Sequence, residues 1–304
     1  MKNGVGIVCF GETLWDVLPD KKIAGGAPMN VAIRLASLGL PVKLISRLGN
    51  DEEGSLLKDI IEKNRIDTSL LQTDANHPSG KVLVSLNEAG NASYDIVYPS
   101  AWDFIELSAE NSNAVATTGV FVFGSLASRS ETSRETLLEL CNKACYKVFD
   151  VNLRKPFIDL ELIQQLMKLS QFIKLNDDEL VFLAGQLNKK EIGTTEKEMI
   201  NAATWLQDFT GANTICVTRG AKGALLLQDS NIYAHEGFTV TVQDTIGAGD
   251  SFLATLVYKL SSGAHPADAL EIACAVGAIV ASKEGANPII RTEDINALIK
   301  RDGR

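Results

Sequence analysis

The segment Asp244-Thr245-Ile246-Gly247-Ala248-Gly249-Asp250 runs directly into the apolar-rich stretch Ser251-Phe252-Leu253-Ala254-Thr255-Leu256-Val257-Tyr258. A turn of small residues feeding a helix leaves backbone N–H groups exposed at the helix start, where the macrodipole is positive. That combination seats a phosphate or an oxyanion. Asp250 stands at the mouth of the seat. A carboxylate beside a phosphate cradle repels the ligand, so a simple anion-binding turn has little use for it. A phosphotransferase does use it, because the proton of an attacking hydroxyl needs an acceptor. Gly247, Ala248 and Gly249 keep bulk away from the N–H groups that would stabilise developing charge. Phosphoryl transfer through a loose transition state needs no early deprotonation, so a carboxylate of near-normal pKa is expected to suffice. The plainer reading is a glycine turn with an aspartate near a helix cap.

The whole string D-T-x-G-A-G-D-S-F resembles the C-terminal signature of the ribokinase-like (PfkB) carbohydrate kinases. Gly25-Gly26-Ala27-Pro28-Met29-Asn30-Val31-Ala32, with Leu35-Ala36 and Leu38-Gly39 after it, resembles their N-terminal signature and lies about 220 residues upstream. The resemblance covers essentially the whole chain. It implies an ATP-dependent sugar kinase, with Asp250 as general base and Gly247, Ala248 and Gly249 around the transferred phosphate. It places sugar contacts at Asp16, Gly25, Gly26 and Asn30, where paired donors and acceptors would meet vicinal hydroxyls. The ribokinase branch has an asparagine two residues before the aspartate; Leu14 stands there, which counts against ribose.

Two further segments follow strand-like runs. Asn176-Asp177-Asp178-Glu179 reads, taken alone, as an acidic helix start. The family's N-x-x-E motif organises Mg2+ and phosphate there, and Asn176 and Glu179 match it. Thr218-Arg219-Gly220-Ala221-Lys222-Gly223 reads as a strand-to-strand turn, and the family contacts its nucleotide through a Thr and a Gly matching Thr218 and Gly220, together with Gly249. Asp150-Val151-Asn152-Leu153-Arg154 ends another strand; Arg154 is open to meeting the sugar, the transferred phosphate or a surface carboxylate. The resemblance also implies a monovalent-cation site, K+ in type, at Asp244, Ile246, Val280, Lys283 and Gly285, mostly through backbone carbonyls.

Rival motifs fail. Gly247-Ala248-Gly249 begins a G-x-G-x-x-G pattern, but Phe252 stands where its third glycine belongs, and a dinucleotide fingerprint opens a domain where this segment nearly closes one. No G-x-x-x-x-G-K-[ST] exists in the chain.

The elements that must position these residues alternate. Strands are expected at 6–11, 42–48, 120–124, 147–151, 172–175 and 214–218. Helices are expected at 27–38, 52–64, 131–145, 160–169, 177–184, 196–209, 248–260, 267–283 and 293–300. Such alternation makes right-handed βαβ units and a mostly parallel sheet. Lys81 to Asn87 and Ala92 to Tyr98 read instead as a hairpin joined by Glu88-Ala89-Gly90-Asn91, and Thr13 to Ile23 as short extended pieces about Pro19-Asp20. The resemblance makes these a small β lid over the sugar. The expected fold is an α/β ribokinase-like three-layer sandwich. It is one domain over 1–304, with the lid from about 12–25 and 79–104.

The chain has 304 residues, 45% of them hydrophobic, and a mean hydropathy of +0.06. These describe an ordinary globular protein. No stretch reaches the roughly 18 apolar residues of a membrane span. The opening Met1-Lys2-Asn3-Gly4-Val5-Gly6-Ile7-Val8-Cys9-Phe10 reads as a first strand, not a signal peptide. The five cysteines are odd in number and mostly in apolar surroundings, as in a reducing compartment, so a cytoplasmic location is expected. Cys141 and Cys145 have the spacing of one helix face. The three histidines are scattered, and the net charge is −9; neither a histidine metal site nor a nucleic-acid partner is expected.

The expected activity is phosphorylation of a small sugar, most readily fructose, since Gly11-Glu12-Thr13 through Pro28 resembles the fructokinase branch. The alternatives are 2-keto-3-deoxygluconate kinase and a nucleoside kinase. The acid substrate would want a cation, and Val82 to Ser128 holds no Lys or Arg, although Arg154 could supply one. Tyr94, Tyr98 and Trp102 keep a base pocket open. Outside this class stand a catalytically idle sugar-binding regulator and a structural assembly protein. Imperfect alternation in the lid, with Val82, Val84 and Leu86 on one face and Tyr94, Ile96 and Tyr98 on one face of its partner, suggests a homodimer joined through the lids.

Overall fold

The computed structural model describes residues 6–86, 92–189 and 192–301. In chain order the strands are β1 (Ile7–Phe10), β2 (Leu14–Val17), β3 (Lys22–Gly25), β4 (Val42–Gly49), β5 (Leu71–Asp74), β6 (Gly80–Leu86), β7 (Ala92–Ile96), β8 (Val120–Gly124), β9 (Lys147–Asp150), β10 (Phe172–Asn176), β11 (Thr214–Thr218), β12 (Ala224–Gln228) and β13 (Asn231–His235). The helices are α1 (Ala27–Ser37), α2 (Glu52–Lys63), α3 (Ala109–Thr117), α4 (Glu131–Lys143), α5 (Leu160–Leu169), α6 (Asp177–Asn188), α7 (Glu196–Thr210), α8 (Ala248–Ser261), α9 (Pro266–Ala281) and α10 (Thr292–Arg301).

Nine strands form the central sheet, in the order β13-β12-β11-β10-β9-β8-β1-β4-β5. Its pairings are parallel except those of β11 with β12 and β12 with β13. The pleat sends successive side chains to opposite faces. Val8, Phe10, Phe121 and Phe123 enter one core with α3 to α7, while Ile7, Cys9, Val120 and Val122 enter the other with α1, α2, α8, α9 and α10. Both faces are therefore covered, as a parallel sheet requires. This is the three-layer α/β sandwich expected.

A second sheet of four strands, β3-β2-β6-β7, is built from the segments expected to make the lid. Its β2–β6 pairing is parallel and the other two are antiparallel. The Pro19-Asp20 turn closes with Leu18 N–H donating to Lys21 O at 2.8 Å. The expected Glu88–Asn91 turn lies outside the described residues. Val82 and Ile96, opposite each other, are buried in the core shared with α3 to α7.

Two expectations change. Helix α4 ends at Lys143, so Cys145 lies beyond it, exposed, and shares no helix face with buried Cys141. Elements β5, α3, β12 and β13 were not foreseen. Helix α3 is short and polar, and its start is held by a local reciprocal cap between Ser108 and Asn111, a signal that apolar periodicity does not carry.

Candidate active site

The candidate residues collect at the C-terminal edge of the parallel sheet, where α/β folds bind ligands. Glu12 follows β1, Asp150 ends β9, Asn176 ends β10 and Thr218 ends β11. Asp250 sits in the first turn of α8. Gly247 is the residue before that helix, with φ +73° and no side-chain cap. An added Cβ there would be left-handed and would collide with the Ala286 backbone, 2.8 Å from its Cα. Gly247 O takes the Ser251 N–H at 2.9 Å. The N–H groups of Gly249 and Asp250 precede the first intrahelical bond and remain available to an anion.

The two signatures meet in space. Asn30 of α1 donates from Nδ2 to Asp250 Oδ2 at 2.8 Å across 220 residues of sequence. Four residues along α1, Arg34 donates from Nε to Ser251 Oγ at 3.1 Å. Burial pushes the Asp250 carboxyl up to about 6, with nearby Asp150 adding to the rise. The Asn30 hydrogen bond, Lys174 and Arg154 oppose it. The near-normal value expected from sequence is corrected here: the helix start withdraws Asp250 from water, and desolvation disfavours its charge.

The lid supplies the opposite wall. Asp16 on β2 packs onto Gly25 of β3, where an added Cβ would stand 2.6 Å from Asp16 Oδ2. Gly26 has φ +110°, and a Cβ would strike the Glu12 carbonyl. Burial raises Asp16 to about 6, against the pull of Arg154 and with a push from Asp244. Glu12 is 3% exposed and is raised to about 7 by burial, opposed by backbone hydrogen bonds and Arg154, with Asp250 adding to the rise. Exposed Arg154 is thus the cation that buried Glu12 and half-buried Asp16 and Asp250 share. Its own hydrogen bond is to Leu153 O at 3.3 Å.

A family model for the pfkB family of carbohydrate kinases matches residues 6–293. The chain belongs to that family. Aminoimidazole riboside kinase of Salmonella typhimurium is 30% identical, over 91% of this chain and 89% of the relative. Fructokinase-2 of Oryza sativa subsp. japonica is 30% identical, over 94% of this chain and 91% of the relative. The solved fructokinase of Vibrio cholerae O395, in a fructose-, ADP- and calcium-bound form, superposes with a TM-score of 0.81 at 25% identity, covering 98% of this chain and 99% of that one. The signatures of a pfkB carbohydrate kinase thus fall where the geometry collects them.

The N-x-x-E residues of this pfkB chain close a reciprocal cap on α6. Asn176 Oδ1 accepts from Glu179 N–H, and Glu179 Oε2 accepts from Asn176 N–H, both at 2.8 Å. Glu179 Oε1 also takes Leu153 N–H at 2.7 Å. Burial raises the Glu179 carboxyl, against Lys174. Both carboxylate oxygens are engaged, so this pair fits a hydrated Mg2+ met through water rather than one bound directly. Among the described residues no cluster of three or more His, Cys, Asp or Glu is set to hold a metal. Thr218 ends β11, and Gly220 begins the following turn, exposed, with φ +55°. On the monovalent-cation side, Asp244 takes Ile246 N–H at 3.0 Å and Gly285 N–H at 3.2 Å. This knits the two loops whose carbonyls would face a cation. Val280 O already accepts Lys283 N–H at 3.0 Å at the end of α9, and Lys283 Nζ donates to Ile289 O at 3.0 Å.

Sequence reasoning passed over Glu12, Lys174 and Asn287. Lys174 sits inside the strand run Phe-Ile-Lys-Leu, where a lone cation amid apolar residues was the available signal. Asn287 sits in a loop without one.

Proposed function

We propose that this pfkB carbohydrate kinase transfers the γ-phosphoryl group of ATP to a hydroxyl of a neutral ketohexose, fructose foremost. The observation carrying this reading is the charge balance of the site. Arg154 is the cation that Glu12, Asp16 and Asp250 share, while Lys174, which also acts on Asp250, is tied to Asp150 and Arg129 to Asp103. A carboxylate substrate such as 2-keto-3-deoxygluconate would enter a wall already rich in carboxyls with its cations engaged. A neutral polyol finds acceptors for several hydroxyls. The fructokinase relatives support the same choice. Trp102 is fully buried and Tyr94 and Tyr98 are mostly exposed, so the aromatic residues do not frame a base pocket.

In this reading Asp16 and the Gly25–Gly26 backbone hold the sugar, and Arg154 lies beside it. The attacking hydroxyl faces Asp250, which accepts its proton as the O–P bond forms and the bond to the ADP oxygen breaks. The N–H groups at the α8 start meet charge developing on the transferred group. Thr218 and Gly220 contact the nucleotide. Asn176 and Glu179 would hold Mg2+ through water, and the loops of Asp244, Ile246, Val280, Lys283 and Gly285 would hold K+; bound there, these ions would supply charge neutralisation for the phosphates. We place the protein in the cytoplasm, since Cys9, Cys141, Cys145 and Cys216 stand as thiols. No helix among the described residues is long and apolar enough to cross a membrane.

The test is ADP release with Mg-ATP and a panel of fructose, ribose, 2-keto-3-deoxygluconate and aminoimidazole riboside. The highest kcat/KM is expected with fructose. A clear preference for the acid or the riboside overturns the fructose assignment, and no turnover with any sugar that nonetheless binds identifies an idle sugar-binding relative.

A further inference from the structure

Asn287 lies in the loop after α9, outside both signatures. Its Nδ2 donates to Asn30 Oδ1 at 2.7 Å, and Asn30 Nδ2 donates to Asp250 Oδ2 at 2.8 Å. We propose that Asn287 is a positioning residue for phosphoryl transfer: it fixes the Asn30 amide with its donor end toward Asp250. This inference rests on the reading of Asp250 as general base.

A primary amide has a donor end and an acceptor end of nearly the same shape. Asn30 is 3% exposed, so water does not arbitrate between its two orientations. While Asp250 is ionised it is acceptor-only, and it selects the donor end by itself. Once Asp250 has taken the hydroxyl proton it becomes a donor. It then favours the inverted amide, whose oxygen would hold that proton in place. Asn287 opposes the inversion, because its own N–H must point at an oxygen on Asn30. The contact thus returns the base to its accepting state after each transfer.

Two observations single out this contact from ordinary packing. First, Asn287 Oδ1 is buried and has no hydrogen-bond partner among the described residues. An amide at this point carries a desolvation cost that an apolar residue of the same size would not. Second, the next residue anchors the loop: Arg34 Nη2 donates to Pro288 O at 2.9 Å while its Nε holds Ser251 beside the base. Asn287 is therefore placed by the same arginine that fixes the start of α8. The charged groups facing Asp250 are Asp150, Lys174 and Arg154, with Glu12 coupled to it from the end of β1. None of them lies on the Asn287 loop, so a change at Asn287 reaches Asp250 through Asn30.

The test follows the Asp250 carboxyl directly, in protein labelled with 13C-aspartate and with no substrate present, its signal identified by its loss in Asp250→Asn. In Asn287→Leu the midpoint should move up by roughly half a unit to one unit, the scale of one hydrogen bond. With fructose and Mg-ATP the acidic limb of kcat should move the same way, while KM for ATP stays put. Asn287→Ser, too short to reach Asn30, serves as the second variant if the leucine disturbs folding. A midpoint unchanged in a folded variant overturns the proposal, as does a uniform loss of kcat at every pH. If Asp250→Asn turns over like the wild type, the base reading falls instead. If Asp250→Asn is inactive and the Asn287 variants titrate normally, only the role of Asn287 is lost.

Discussion

Lys174 and Asp150 meet side chain to side chain, Nζ to Oδ1 at 2.9 Å, Lys174 from the middle of β10 and Asp150 from the end of adjacent β9. Both are buried. The ammonium lies under the first turn of α8, 3.5 Å from where a Cβ on Gly249 would stand. Burial alone would lower the Lys174 pKa, but Asp150, Glu179 and Asp250 hold it above its ordinary value. Lys174 thus sets a positive charge beneath the start of α8 and pulls Asp250 toward its ionised form, while Asp150 pushes the other way.

Lys174→Met should therefore strip that charge and leave Asp150 buried without its partner. Breaking a buried pair from one side costs about 3–5 kcal/mol, whereas replacing both partners costs far less. Denaturant melts of Lys174→Met, Asp150→Asn and the double variant check this. The double variant should be more stable than Lys174→Met, yet remain slow in turnover. A double variant whose loss equals the sum of the two single losses would show that the pair is not coupled.

Asp250→Asn should lower kcat by roughly 10²–10⁴, the range for a lost general base, with nucleotide affinity kept. In the wild type, kcat/KM should fall as pH drops through about 6, the value to which burial raises Asp250. A flat profile between pH 5 and 8 would remove ionised Asp250 from the mechanism.

The same carboxyl should leave a signature in stability. Its folded pKa, pushed up by burial to about 6, stands well above the usual aspartate range, so the folded state holds this proton more tightly. The resulting stabilisation is complete below about pH 4 and is lost as pH rises through 6. Asp250→Asn carries no titrating group. The Tm of the variant minus that of the wild type should therefore rise between pH 4.5 and pH 8. Asp16 is raised into the same window but is present in both proteins and cancels in the difference, whereas Glu12, which Asp250 helps to raise, is raised less in the variant and adds to the difference in the same sense. A difference independent of pH contradicts the buried, raised carboxyl.

The two glycines of the anion seat should separate. Gly247→Ala places a Cβ at φ +73° against the Ala286 backbone, so it should cost stability and turnover together. At Gly249 a Cβ would meet only Lys174 Nζ, at ordinary contact distance. Gly249→Val should leave Tm near the wild type and reduce kcat, because its branches stand where the phosphate must approach. Melting curves and kcat for both variants decide it; a large Tm loss at Gly249 with ATP binding intact would make that glycine structural.

How far the sequence carried depended on where each signal resided. The parallel strands were legible because burial on both faces makes short apolar runs such as Val-Phe-Val-Phe in β8. Strand β13, at the sheet edge with mixed exposure, lacks such a run. The turn at Gly247–Asp250 was legible because anion binding constrains local backbone, and local constraint is written in adjacent residues. The Asp250 environment was not. It is built by Asn30, 220 positions away, and by Asp150, Lys174 and Arg154 from elsewhere in the chain. Asn176 and Glu179 illustrate the converse: both the plain helix-cap reading and the ligand reading pointed to the same residues, and the cap is what their side chains visibly form.

The lid bears on assembly. Its hairpin face is covered at the root, where Val82 and Ile96 are buried by the chain's own core, and open toward the tip, where Val84 is half-buried and its cross-strand partner Tyr94 is 60% exposed. Leu83 and Tyr98 add exposed apolar surface. Strand β7 is one of the two edge strands of the lid sheet, the other being β3, and among the described residues no further strand pairs with it. An exposed apolar edge favours association, and a two-fold pair is the commonest closed solution. We expect a homodimer joined through the lids, read by light scattering at micromolar concentration as twice 32.7 kDa. Val84 is a poor place to test this, since it packs against the core. Tyr94 makes the cleaner probe: Tyr94→Lys should yield a soluble monomer with its Tm little changed and a raised KM for sugar, because an unsupported lid closes less often. A wild-type protein that stays monomeric as concentration rises would show that the open tip of the lid is covered by substrate alone.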